Sequence, residues 1–507
     1  MQRDFDSQWS VHVSPASGWG GYRSQVCRVG MLIGAVWLTA AAGCSSYHAK
    51  PLLPAAVNHE LQHKSQEFLT ISSSRFHGNA SATQRLSPRR GLSPAEAATI
   101  AVLLNPSLQA LRDQHGVAAA QLMQAGLLPN PQLAATGDFV TGGYRTGTFN
   151  AYGLSLSWDL TSLIDRNARI AAARYHQGQV DLQVAWQEWQ AAEAARLAVY
   201  NLAAVRSEIA QANKIRTQLN RNYEAMRQAY GRRLITIVDL AAARSALQQA
   251  DSVCLQLRQS RRQGNNGLTT ALGIPAGTPI ALRTHIRLPS KLNLPSAATF
   301  MHGLQQRRLD LVALRMGYKS QDALLRAAVL RQFPNISIGF QQASDTTNVH
   351  TDGFGVTLSL PIFDHNQAKI AEARQTRRQL YDDYIARVFA AKSQAALLLA
   401  NIRSLEQRIA AEEAASRGLS ELVATYRKAL GFGNADIINY YTLVERLYSR
   451  RIAVIKLKDQ LIQNDIALQL ATGLYMPVTG VAPHMSLQPV GRPLRSAGSL
   501  KQGGSHE

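Results

Sequence analysis

The chain contains little cysteine, with three residues among 507. Cys27 and Cys44 lie in or next to an apolar N-terminal stretch, which leaves Cys254 for the rest of the sequence. A single cysteine can build neither a disulfide framework nor a zinc cluster. We therefore predict no metal site, and we interpret Cys254 as a small buried residue on a helix.

Signatures of nucleotide binding and catalysis are missing as well. The sequence has no P-loop, no Gly-x-Ser-x-Gly elbow and no dinucleotide fingerprint. Residues His59–His63 match the HExxH zinc signature, but they lie in a polar stretch without a third ligand at a suitable spacing. We predict no catalytic residues, no cofactor and no enzymatic activity, and an HExxH hydrolase is the enzymatic alternative.

Acidic residues are scarce relative to basic ones. Against 54 Lys and Arg residues stand 33 Asp and Glu residues, so the net charge is +21. The basic residues are dispersed, and no basic run is interleaved with aromatic residues, so we predict no nucleic-acid partner. A solvated basic surface that faces anionic lipid or a protein partner fits this pattern better.

The N-terminal segment has the organisation of an export signal. Arg23 and Arg28 precede the apolar residues 29–43, which end in small residues next to Cys44. The ending Ala-Ala-Gly-Cys resembles a bacterial lipobox, which implies a diacylglyceryl (palmitate-type) anchor on Cys44, and Ser45 points to the outer membrane. We predict a signal peptide at residues 1–43 and a lipid-anchored polar tether at 44–91. No later run of about 18 apolar residues predicts a membrane-spanning helix.

The rest of the sequence is an internal repeat. Residues 166–274 and 366–474 run in parallel at an offset of about 200, and Gly231 matches Gly431. We predict a first repeat at 92–275, a linker at 276–300, a second repeat at 301–478 and a disordered tail at 479–507.

Each repeat is predicted to contain a strand hairpin, a long helix and a return helix. Apolar residues at heptad spacing predict coiled-coil packing of the long helices. Thr236 and Asp436 are predicted to cap the return helices, and glycines are predicted in the turns before them. The predicted bounds are about 132–160, 166–230 and 236–273 in the first repeat and about 335–360, 366–430 and 436–473 in the second, with turn glycines Gly231, Gly431 and Gly433.

Four strands of about ten residues have the length to cross a membrane as β-structure. Four strands cannot close a barrel, and an open sheet edge cannot face lipid. Copies of the chain must therefore associate, two copies giving eight strands or three giving twelve. The fold class predicted from this reasoning is an internally duplicated α+β membrane protein, in which a shared barrel continues into a long helical tube.

With these elements the chain resembles the outer membrane factors of the TolC type, the exit ducts of tripartite efflux pumps. The resemblance covers roughly Leu92–Pro477 and rests on the repeat, on Leu127–Leu133 before the first strand and on the turns at Gly231 and Gly431. It implies a homotrimer with a 12-stranded outer membrane barrel and a periplasmic α-helical barrel. It also implies a periplasmic adaptor and a proton-driven inner membrane pump as partners.

Leu127–Leu133 and the lipobox look most like the heavy-metal branch of this family, so we predict a passive channel for heavy-metal cations. Two alternatives stay open. One is a multidrug or organic-compound channel of the same fold, and the other is a structural lipoprotein whose coiled coils span the periplasm. Paired hairpins at matching places in both repeats favour a channel, because a spacer needs none.

The resemblance also implies a gate near the turns between long and return helices, where acidic rings bind or steer cations. Helix capping is the structural alternative for Asp239 and Asp436. A threefold ring of carboxylates would raise their pKa values by mutual repulsion. The residues assigned to the gate on this basis are Asp239, Asp436, Asn439, Glu445, Tyr230 and Tyr440.

Overall fold

The computed structural model describes residues 47–70, 91–143, 146–432 and 434–474. The predicted signal peptide, the predicted lipid anchor on Cys44, the turn glycine Gly433 and the predicted tail lie outside these residues.

Helices dominate the described residues, and four strands interrupt them. In chain order the elements are α1 (Pro54–Thr70), α2 (Pro94–Leu104), α3 (Pro106–Gly126), β1 (Gln132–Asp138), β2 (Ala151–Asp159), α4 (Thr161–Gly231), α5 (Ile237–Leu272), α6 (Ala297–Met301), α7 (Leu304–Arg307), α8 (Leu309–Leu330), β3 (Asn335–Ser344), β4 (His350–Ser359), α9 (Gln367–Gly431) and α10 (Ile437–Thr472).

Side-chain caps explain where the first two helices of repeat 1 begin. Ser93 N–H donates to Glu96 Oε2 at 2.8 Å and Glu96 N–H donates to Ser93 Oγ at 3.3 Å, which is a reciprocal capping box. Asn105 Oδ1 accepts from Ser107 N–H at 3.0 Å at the start of α3. Arg283 holds the second oxygen of Glu96 at 2.7 Å, so the loop after α5 is tied to the start of α2.

The strands form one antiparallel sheet in the order β1-β2-β3-β4. Leu156 pairs with Leu133 on one side and with Phe340 on the other, and Phe340 pairs with Phe354. Because side chains alternate along a strand, this register puts the large apolar residues of all four strands on one face. β1 and β4 are the two edges of the sheet.

Each long helix packs along the return helix of its own repeat. In repeat 1, Leu202 packs with Leu268, and in repeat 2, Ile402 and Ile409 pack with Leu461. All of these residues are at most 1% exposed. They lie on the predicted heptad seam or face it, so the sequence pattern marks the face that the structure buries. At 1.5 Å per residue the 71 residues of α4 extend roughly 105 Å.

Both return helices end at a glycine that the packing requires. Gly273 (φ 72) and Gly473 (φ 67) adopt the left-handed conformation. A Cβ on Gly273 would lie 2.4 Å from Asn105 Cα, and one on Gly473 would lie 3.2 Å from Arg308 Cα. The two repeats thus close in the same way, with the end of the return helix against the corner before α3 or α8.

Two element boundaries differ from the predictions. α4 begins at Thr161 instead of about 166, because Thr161 N–H donates to Asp159 Oδ1 (2.9 Å) and Ile336 N–H donates to Thr161 Oγ1 (2.8 Å). β4 begins at His350, whereas the apolar alternation of Phe354–Leu360 predicts a strand that begins four residues later. Asp345 shortens the loop by accepting from Thr347 N–H and Val349 N–H at 2.8 and 2.9 Å.

The predicted tether and linker contain more structure than their polarity indicates. Part of the tether is α1, in which Phe68 is 2% exposed and belongs to the same core cluster as Leu92 and Ile100. The description of residues 44–91 as a polar tether is therefore wrong for Pro54–Thr70. In the predicted linker, Leu282 pairs with Leu92 in a parallel bridge and Phe300 is fully buried.

One described helix, α9, has by length and composition alone an 18-residue window apolar enough to cross a membrane. A third of this window is buried inside the protein. Because α9 packs along α10 through Ile402 and Ile409, we interpret it as a packed helix with an additional exposed apolar face.

Candidate functional site

The turn between α4 and α5 holds the first residue assigned to the gate, Asp239. Asp239 N–H donates to Thr236 Oγ1 at 3.2 Å, and Thr236 N–H donates to Asp239 Oδ2 at 2.9 Å. The Thr236 hydroxyl donates to the same oxygen at 2.6 Å. The hydroxyl bond first, and then the backbone bond, holds the pKa of Asp239 below its ordinary value, because both stabilise the ionised form. Asp239 therefore caps α5 as an anion.

The turn between α9 and α10 has a simpler cap. Asp436 Oδ1 accepts from Ile438 N–H at 3.1 Å. Asn439, which corresponds to Asp239 at the repeat offset, is exposed, and so is Glu445 two turns further along α10. The turn end of the protomer thus presents carboxylates from Asp239, Asp436 and Glu445.

Tyr440 does not lie free beside the turn. Its side chain is 6% exposed and packs edge-on against Tyr441, with 5.5 Å between the ring centroids. Burial, and secondarily Tyr440, raises the pKa of Tyr441 to about 12. We call the buried group around them the turn-end cluster: Ile215, Leu219, Met226, Ala243, Tyr440, Tyr441 and Val444. The cluster joins the helix hairpins of the two repeats.

The remaining turn residues differ in their exposure and backbone conformation. Tyr230 is 41% exposed, in contrast to Tyr440. Gly231 and Gly431 are the last residues of their long helices. In the first turn the left-handed conformation belongs to Arg233 (φ 59), two residues after Gly231. Gly231 therefore terminates the helix without the positive φ that most often selects glycine there.

A cavity of about 110 Å³ lies beside the turn-end cluster. Ala246 and Ala250 of α5 line one side, and Tyr448 and Glu445 of α10 line another. Small residues on α5 leave this space unfilled, so the contact between the return helices of the two repeats is looser here than the contact inside each repeat.

The HExxH residues lie on a helix within the predicted polar tether, because α1 spans them. His59, Glu60 and His63 are exposed. Among the residues that the structure describes, no group of three His, Cys, Asp or Glu side chains could hold a metal ion.

The sheet separates its side chains by polarity. One face carries exposed apolar residues, for example Leu133 (66%), Phe354 (73%) and Leu358 (53%). The opposite face carries small and polar residues, for example Ser155 and Gln341, which are paired in the register. An apolar outer band and a polar inner face are the pattern of strands in a membrane barrel.

The sequence reasoning missed a polar contact between the repeats. Midway along the helices, Glu208 of α4 is 5% exposed and lies near Asp459 and Lys456 of α10. Gln463 donates to Asp459 at 2.8 Å and to Asn201 Oδ1 at 3.4 Å. We call this contact the inter-repeat seam. Glu208 directly precedes the heptad residue Ile209, so the heptad spacing alone gave no signal that this carboxylate is buried.

Comparison with solved structures identifies the fold. The crystal structures of CusC share 17% sequence identity with the chain at a TM-score of 0.64, covering 85% of this chain and 99% of that one. VceC from Vibrio cholerae shares 17% sequence identity at a TM-score of 0.63, and the match covers 75% of this chain and 96% of VceC. The open state of MtrE from Neisseria gonorrhoeae shares 20% sequence identity at a TM-score of 0.63, and the match covers 75% of this chain and 88% of MtrE. The protein has the fold of an outer membrane channel subunit, which confirms the predicted fold class.

The family comparison agrees. The family model described as outer membrane efflux protein matches residues 99–274, which cover most of repeat 1. No curated protein matches the sequence significantly. The resemblance to outer membrane efflux proteins that we inferred from the repeat and its turns is thereby confirmed.

Proposed function

We propose that the protein is the outer membrane channel subunit of a tripartite efflux pump. The supporting observation is the two-faced sheet with two open edges that continues directly into helices of 71 and 65 residues. In lipid the edges of β1 and β4 must pair, and copies of the chain can supply the partner strands. Three copies give a 12-stranded barrel, and the helical hairpins then form a tube beyond the membrane.

In this proposal the channel is passive and not an enzyme. Energy comes from a proton-coupled inner membrane pump, and a periplasmic adaptor connects the pump to the turn ends. The lipid anchor on Cys44 holds the N-terminus at the outer membrane. Heavy-metal cations are the favoured substrate, and drugs or other organic compounds are the alternative.

Single-channel recording tests the channel itself. Purified oligomer in a planar bilayer should give discrete conductance steps, because the polar inner face of the closed barrel admits water and ions. A folded oligomer that stays silent would instead support the structural lipoprotein. Glu60→Gln should leave conductance unchanged, since the HExxH residues have no place in the path.

Substrate class is tested in a deletion strain. Selective sensitivity to divalent metals, copper or silver that the intact gene restores would support the metal pump. Sensitivity to amphipathic drugs alone would replace it with the multidrug alternative.

The gate assignment is tested by removing charge while keeping the caps. Asn accepts a backbone hydrogen bond as Asp does, so Asp239→Asn with Asp436→Asn should leave both helix starts intact. We expect cation block from the turn end to weaken severalfold, because carboxylates in a threefold ring attract cations. Thr236→Ala, which breaks a cap but keeps the charge, is the matched control. Block that the double variant leaves unaltered would assign both residues to capping alone.

A further inference from the structure

The charge of the sheet is opposite to the charge of the chain. The protein carries a net charge of +21, yet the described strands contain no lysine or arginine. Their acidic residues are Asp138, Asp159 and Asp352. The chain has 54 basic residues, so their absence from the described strands leaves the sheet with negative side-chain charge.

The strand register assigns these carboxylates to faces. Asp159 pairs with Ser337, and Asp138 pairs with Ala151, so both share the small, polar face. Asp352 pairs with Gln342 and is in phase with Phe354, so it shares the apolar face. If the apolar face contacts lipid, as the proposed channel requires, Asp138 and Asp159 point toward the lumen.

The two lumen-facing carboxylates stand at opposite ends of the sheet. Asp138 ends β1 at the loop end, and Asp159 ends β2 where the chain enters α4. An open concavity of about 530 Å³ surrounds Asp159 at this junction. Hydroxyl groups of Thr161, Ser337 and Thr357 are among its lining, so the wall is rich in oxygen.

The other charges in the concavity are largely balanced. Asp165 is 1% exposed and pairs with Arg169 at 2.9 Å and with Arg331 at 2.6 Å. Asp159 and Asp364 are exposed, and they accept hydrogen bonds from the backbone N–H groups of Thr161 (2.9 Å) and Asn366 (2.8 Å), respectively. A backbone amide fixes each carboxylate without neutralising it.

We propose that Asp159 sets a preference for small hydrated cations at the junction of barrel and helical tube, with Asp364 assisting it. The inference rests on the proposed channel function. Three copies of Asp159 form a negative ring in a confined, water-filled passage, where low-dielectric walls raise the local cation concentration. The carboxylates act through water, so cations pass without being held by a chelating site.

The test is the reversal potential of the reconstituted oligomer under a KCl gradient. Wild-type channels should prefer K⁺ to Cl⁻. Asp159→Asn keeps the oxygen that accepts from Thr161 N–H and removes the charge, so the permeability ratio should fall by about twofold or more. Asp159→Lys should lower it further. Asp352→Asn, on the lipid-facing side, is the matched control and should leave the ratio unchanged.

The possible failures are distinguishable. Channels whose ratio is the same in wild type and Asp159→Asn would overturn this inference and leave the channel function standing. A permeability ratio that falls equally in Asp352→Asn would also overturn the inference, because the side of the sheet that carries the carboxylate would then make no difference. Wild-type oligomer without any conductance would defeat the proposed function itself.

Discussion

The contacts within each repeat and the contact between the repeats are built from different chemistry. Within repeat 2, Ile402, Ile409 and Leu461 form a continuous apolar core. Between the repeats, Glu208 faces Asp459 midway along the helices. Apolar burial stabilises the hairpins by roughly 25 cal/mol per Å² of buried area, and this term does not depend on direction. The inter-repeat seam is stable only if each buried polar group finds a hydrogen-bond partner.

The inter-repeat seam is incompletely satisfied. Burial raises the pKa of Glu208, Asp459 and Asp465, and Asp459 Oδ1 is a buried oxygen without a hydrogen-bond partner among the described residues. Each helix hairpin is therefore a stable unit. Separating the two hairpins from each other should cost less free energy than separating the two helices within one hairpin. At the turn-end cluster, around Tyr441, the contact between the two helix hairpins becomes apolar.

The largest effect should come from the core within a repeat. Leu461 is fully buried, so Leu461→Ala should lower the free energy of unfolding by about 2–5 kcal/mol through lost burial and a residual cavity. Denaturant unfolding of the detergent-solubilised protein measures this. Leu461→Met, which keeps the volume, should cost less than about 1.5 kcal/mol. Equal losses in the two variants would contradict the packing argument.

A smaller effect of opposite sign is expected at the inter-repeat seam. The folded pKa of Glu208 is raised above its ordinary value of 4.5, first by burial and then by Asp459, against the attraction of Lys456. A raised acid pKa contributes stability below the unfolded pKa, and this stability is lost as the pH rises through the folded pKa. The contribution of Glu208 to wild-type stability should accordingly decline from pH 4 toward neutrality.

Glu208→Gln should reduce this decline and gain about 1 kcal/mol near pH 7, because it removes a buried charge. Unfolding at pH 4 and pH 7 gives both quantities. The exposed Glu421→Gln on α9 is the control and should follow the wild type. A Glu208→Gln variant that is less stable at pH 7 would show that the seam is a favourable ion pair with Lys456.

The smallest effect belongs to the charged rim of the repeat 2 core. Arg450 Nη1 donates to Glu412 Oε2 at 2.7 Å, and the two side chains are 45% and 31% exposed. Solvent screening limits such a pair to about 0.2–1 kcal/mol. A double-mutant cycle of Glu412→Ala and Arg450→Ala measures the coupling. A coupling energy as large as the Leu461→Ala loss would remove the distinction between core and rim.

The long-range plan of the molecule could be predicted from its sequence for physical reasons. Periodicity of 3.5 residues marks the buried stripe of a long helix, and alternation marks the face of a strand, so both follow from local spacing. Capping residues such as Ser93 and Thr236 mark helix starts because their side chains satisfy nearby amides. Because the chain is duplicated, the same pattern of strand hairpin, long helix and return helix can be recognised in both repeats.

Other features depend on residues distant in sequence. Phe68 lies in a stretch read as a polar tether, and only the cluster with Leu92 and Ile100 explains why α1 is ordered there. Tyr440 was read as a flanking contact of the gate, but packing between the repeats buries it. No local pattern reports which hairpin will cover a given side chain.

Features that depend on interactions between residues close in sequence could be predicted, and features that depend on residues distant in sequence could not. Helices, strands and caps follow from neighbours a few residues apart, and the repeat is visible in the sequence itself. The cysteine count argues against a disulfide framework, and the missing motifs argue against a nucleotide site. Tertiary structure decided which carboxylates share a face of the sheet, which lie in the seam between repeats and which remain exposed at the turns. Those assignments depend on strand register and helix packing, where one residue of shift exchanges buried and exposed positions.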